Sequence, residues 1–210
     1  MRPIVLGPFT PAAASTTAFN AQGFTSTGAA VAPTTTSTTD GLAHYVTFTS
    51  PSQASLAGIT FTIVGTDPDG HDISEALAGP ASASTVTGTK FFKTITTIQP
   101  ASTMGGLTLA IGIAVTAITP TIALTNSPAA AGMTVAVTGT INYTMYETFA
   151  NVYVHSANSV STPITALTSK SANTSGTAAV SATGVILLIN SLSSGATITT
   201  WLNQNSAGLA

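Results

Sequence analysis

The sequence predicts an all-β protein, an antiparallel β-sandwich or jelly-roll-like fold with an extended N-terminal arm. Three observations predict it. From residue 44 onward apolar residues recur with a period of two. Turn-forming pairs such as Asp69-Gly70, Gly79-Pro80, Thr119-Pro120 and Ser194-Gly195 separate the alternating runs. No window carries a capped 3.6-residue period, and short strands with frequent turns make sandwiches and barrels.

Residues 1–43 hold no regular period. They are rich in Ala, Ser, Thr and Gly, with Phe9, Phe19, Phe24 and Val31 as isolated apolar anchors. Such a segment reads as an arm that lies on neighbouring molecules and seats its phenylalanines there, since a solvated tail needs none. The sandwich domain is then 44–210, with a sub-boundary marked by "TPTIALTNSPAA" within 119–130.

The strands follow in order. Val46 and Phe48 alternate with threonines, as do Ile59, Phe61 and Ile63. Leu107 to Val115 alternates apolar with small residues. Met133, Val135 and Val137 come next, then Ile141, Tyr143 and Met145, then Val152 and Val154 beside His155. Val185, Leu187 and Ile189, and then Ile198, Thr200 and Leu202, close the series. The β-branched threonines suit a pleated, half-wet face. "TMYETFA", residues 144–150, comes nearest to a short helix. "VTGTKFFKTITTI" from Val86 and "VTGTINYTMYETF" from Val137 share a tetrapeptide, by internal repeat or by chance in a Thr-rich chain.

Composition narrows the function. Only 5% of the 210 residues are charged, the formal net charge is -2, and threonine is about a fifth of the chain; an ordinary soluble domain is roughly 25% charged. A polar but non-ionic surface is cheap to desolvate. Proteins kept apart in solution usually carry net charge. The chain therefore reads as one that works packed against other protein. With 4 basic residues it cannot neutralise a phosphate track, so no nucleic-acid partner is expected. With 0 cysteines it has no disulfide, thiolate metal site or cysteine nucleophile. The start is interrupted by Pro3, Gly7, Pro8 and Pro11 and does not read as a signal peptide. No run is long enough for a membrane helix.

"GTDPDGHDISEALAGP", residues 65–80, concentrates Asp67, Asp69, Asp72 and Glu75 with His71. Asp67-Pro68-Asp69-Gly70 has the chemistry of a turn: proline fixes φ, glycine takes positive φ, and aspartate bonds the local backbone. Asp67, Asp69 and Asp72 could instead offer oxygens to calcium, but the EF-hand spacing fails. The turn is the preferred reading, with no metal and no cofactor. His44, His71 and His155 have no metal-ligand spacing. No G-x-S-x-G elbow or phosphate loop occurs, so no catalytic residue is assigned and no enzyme is expected. Lys90 and Lys93 flank Phe91-Phe92, either as edge-strand lysines that block aggregation or as an interface strand. Phe9, Phe19, Phe24, Lys90, Phe92 and Trp201 are the expected interface residues.

Residues 59–98, "ITFTIVGTDPDGHDISEALAGPASASTVTGTKFFKTITTI", resemble a segment of virion structural proteins of tailed bacteriophages. The closing "LLINSLSSGATITTWLNQNSAG" is similar to terminal strands of such proteins. The resemblance covers about a third of the chain. It implies a β-sandwich that decorates or cements a capsid, often as a trimer, with the major capsid protein or other virion subunits as partners. The protein would be made in the host cytoplasm and located on the phage head. The rival expectations are another virion role (tail tube, adaptor or fibre base) and a surface adhesin that binds glycans.

Overall fold

The computed structural model describes residues 4–24, 28–50, 55–124, 131–149, 161–179 and 182–204, and only the backbone of 20–24 and 204. The expected strands at 152–155, with His155, lie outside the described residues. The fold is all-β with antiparallel sheets, and the described residues contain no α-helix. They form two compact units, residues 14–115 and residues 1–13 with 116–210. The divisions fall between Ala13 and Ala14 and between Val115 and Thr116.

The unit 14–115 contains β2 (Ser15–Phe24), β3 (Ala43–Thr49), β4 (Thr60–Thr66), β5 (Asp72–Ala78), β6 (Thr85–Phe92), β7 (Thr94–Pro100) and most of β8 (Leu109–Ile118). One sheet places β8, β3 and β6 side by side with β2 against β8, and the other runs β5-β4-β7. Alternation explains the second sheet: Phe61 and Ile63 are buried while Thr60, Thr62 and Val64 face out. β3 is buried on both faces, from Ala43 to Phe48 except Tyr45. Phe48 on β3 meets Phe61 on β4 edge to face, with ring centroids 5.2 Å apart. Tyr45 stacks on Phe91 across the β3–β6 pair at 4.0 Å.

The other unit contains β1 (Ile4–Phe9), the last residues of β8, β9 (Ile122–Ala123), β10 (Ala131–Thr138), β11 (Ile141–Thr148), β12 (Thr162–Pro163), β13 (Thr174–Thr177), β14 (Gly184–Leu192) and β15 (Thr197–Gln204). One sheet runs β1-β15-β10-β13, and β12, β11 and β14 are neighbours in the other. Met133, Val135, Ile198 and Leu202 are among the buried side chains of the first; Ile141, Tyr143, Met145, Val185, Leu187 and Ile189 are among those of the second. Thr200 lies on the dry side with its hydroxyl buried and unpaired.

Four expectations stand against the structure as follows. The described part of residues 1–43, expected as an arm laid on neighbours, pairs within its own chain. β1 pairs with β15, β2 pairs with β8, and Val31 and Ser37 bridge to Ile98 and Thr94. The backbone of β2 lies so close to β8 that a Cβ on Gly112 would meet the Ser15 carbonyl at 1.8 Å, which is why a glycine interrupts that apolar strand. "TMYETFA" is not helical; its first five residues end β11, and Phe149 is 51% exposed. The shared VTGT has two structures. Gly88 sits inside β6, whereas Gly139 has φ 78° and turns the chain from β10 into β11. The expected interface residues Phe19 and Phe92 are 0% exposed and belong to the core.

Candidate functional site

The acidic stretch forms the β4–β5 hairpin turn. Asp67 sits at its start and is fully buried. Its Oδ1 accepts the backbone N–H groups of Asp69 (2.9 Å) and His71 (3.0 Å). Its Oδ2 lies 3.3 Å from His71 Nδ1, whose side chain is 38% exposed. Gly70 takes φ 90° and donates its N–H to the Asp67 carbonyl at 3.1 Å. Asp67, Asp69 and His71 bring one ligand atom each to within 4.8 Å of one another. The set therefore differs from the sequence's calcium alternative: Asp72 stands exposed at the start of β5, paired with Thr66, and His71 takes its place. The backbone donors on Asp67 give the cluster the chemistry of a turn whose carboxylate is already used.

The same use of acid recurs elsewhere. Glu75 on β5 is buried, and its Oε1 accepts the N–H and hydroxyl of Thr89 at 2.6 and 2.9 Å. Its Oε2 accepts the Lys90 N–H at 3.3 Å. Both donors lie on β6, the outer strand of its sheet, so Glu75 occupies donors that a foreign strand would otherwise take. Gly88 makes the room, since a Cβ there would lie 2.6 Å from Glu75 Oε2. Lys90 donates its Nζ to the Ser74 carbonyl at 2.7 Å. Asp40 Oδ1 accepts the Leu42 N–H at 3.1 Å, while its Oδ2 lies 2.9 Å from His44 Nε2. His44 is 0% exposed, and its Nδ1 lies 2.9 Å from the Ala114 carbonyl. A carbonyl only accepts, so Nδ1 carries a hydrogen. Glu147 Oε2 accepts the Ala179 N–H at 2.7 Å. Four of the 6 carboxylates thus hold backbone donors of their own chain. Burial pushes the Tyr143 phenol above its ordinary pKa, against a Thr174 hydrogen bond that lowers it; its hydroxyl donates to the Ala172 carbonyl at 2.9 Å.

The remaining expected interface residues are placed as follows. Phe9 is half-buried on β1, opposite Ile198. The Phe24 side chain lies outside the described residues. Lys90 is half-buried and bonded within its own unit, on an outer strand. Trp201 is half-buried on β15, between Val5 and Thr134 in register. The sequence reading missed Ile4 and Val5, which are 41% and 49% exposed on β1. Their signal was the run Ile4-Val5-Leu6, which the surrounding prolines and glycine obscure.

The chain matches no protein-family profile, no curated protein and no solved structure.

Proposed function

We propose that the protein is a non-enzymatic virion structural subunit, a decoration or cement protein that stabilises a phage head by packing against the major capsid protein and its own copies. The observation that carries the packing role is β1. Among the described residues it is an outer strand of its sheet, and it presents Ile4 and Val5 to solvent. An outer strand with exposed aliphatics and no charged side chain is a template for another chain. Glu75 protects β6 in the other unit; in β1 the bulge between Leu6 and Phe9 and Pro8 blunt the far end only, and Ile4–Leu6 carry no side-chain cap among the described residues. The scarcity of charge supports the same role, since four of the 6 carboxylates are bound to their own backbone and the non-ionic surface is cheap to desolvate. The virion setting comes from the resemblance of residues 59–98.

The mechanism is additive burial. A standard contact removes about 1,600 Å² from water, and repeated contacts spread a pressure load over a shell. The test is binding to expanded capsids. The full chain should bind them and raise their melting temperature, and Val5→Lys should abolish binding while the free chain melts as before. A folded chain that stays monomeric and ignores shells would overturn the role.

A further inference from the structure

The outer face of the β1-β15-β10-β13 sheet carries a depression of about 380 Å³. Register explains it. Gly132 on β10 lies between Asn203 on β15 and Thr177 on β13. The next row on the same face is Ser175, Thr134 and Trp201. The alternate residues Met133, Val135 and Leu202 are buried, so these two rows face outward. Gly132 leaves a gap between them: a Cβ there would meet nothing nearer than the Asn203 carbonyl at 3.9 Å.

The lining decides the ligand class. Thr134, Ser175 and Thr177 supply hydroxyls that both donate and accept, and Asn203 adds an amide. Among the described residues no charged side chain lines the depression, so an ionic ligand would lose water without gaining a counter-charge. An apolar ligand would strand the hydroxyls. A neutral polyhydroxyl ring fits both constraints, and the half-buried Trp201, paired in register with Thr134, stands on the same face one row away. We propose that this depression binds a neutral saccharide, with one pyranose unit of a chain seated over Gly132 beside Trp201. This goes beyond the packing role, which uses the edge of β1.

The chain has 1 tryptophan, so its emission reports on this face directly. The full chain is titrated with maltohexaose, cellohexaose, N-acetylchitohexaose and, as an acidic control, hexagalacturonate. At least one neutral chain should shift Trp201 emission saturably, with a dissociation constant of about 1 mM, and the acidic chain should not. Gly132→Val should weaken that binding about tenfold or more. It should keep the parent's melting temperature, because the space is open and a β-branched residue suits a strand. No response to any neutral chain overturns the proposal, as does binding that survives Gly132→Val or is confined to hexagalacturonate. An emission shift that follows protein concentration alone also overturns it, since a second copy would then cover the face.

Discussion

Two turns in the unit 14–115 use the same local device with different surroundings. In each, an aspartate stands four residues before a histidine: Asp40 before His44, and Asp67 before His71. In each, Oδ1 accepts the N–H two residues on, at 3.1 Å from Leu42 and 2.9 Å from Asp69. In each, Oδ2 faces the imidazole, at 2.9 and 3.3 Å. The difference lies outside the motif. His44 is on β3, sealed from water, and reaches across to the carbonyl of Ala114 on β8. His71 is at the hairpin tip and partly in solvent. One motif is therefore a staple between distant segments and the other a local turn. Burial, not spacing, sets the energy, because charge interactions grow as the surrounding dielectric falls.

Breaking the buried member tests this contrast most severely. His44→Ala leaves Asp40 Oδ2 and the Ala114 carbonyl without their ring donor in a dry site. It should cost about 3–5 kcal/mol, seen in urea denaturation as an earlier transition of the unit 14–115. Asp67→Ala should cost less, about 1–2 kcal/mol, because the released Asp69 and His71 N–H groups lie near the surface of a turn. Asp67→Asn should recover most of that loss, since an amide oxygen still accepts. His71→Ala should be the mildest, about 0.5 kcal/mol or less. Calcium chloride should then shift the parent's melting temperature no more than sodium chloride at matched ionic strength. A His71→Ala loss as large as that of His44→Ala would erase the contrast.

What was legible in the sequence follows the range of each interaction. Strands such as Phe61–Ile63, Met133–Val137 and Val185–Ile189 declare themselves by period two, because each contributes one buried face. The Asp67 turn was legible because Asp, Pro and Gly act on their own backbone. β1 and β2 were not, because neither alternates well and each is held by a partner far along the chain; Gly112 was the one local sign of β2's close approach. Phe92, expected at an interface, stands next to Phe91 on β6. The β3–β6 register shifts between Tyr45 and Thr47, and both phenylalanines are buried. Glu75 and its notch at Gly88, the His44 staple and the gap over Gly132 each require two or three strands in register, and spacing along one strand does not encode that.

The pairing of Val5 with Trp201 sets an order of assembly during synthesis. At ordinary elongation rates about 10–40 s separate the appearance of these two residues. Residues 14–115 can close as a unit on the ribosome within that interval, while β1, made earlier, waits for β15, made later. Until then Ile4 and Val5 are not held by their own sheet. A stalled or shortened chain lacking residues 197–204 would expose β1 and β10 together, and that fragment, rather than the finished protein, is the species most prone to clump.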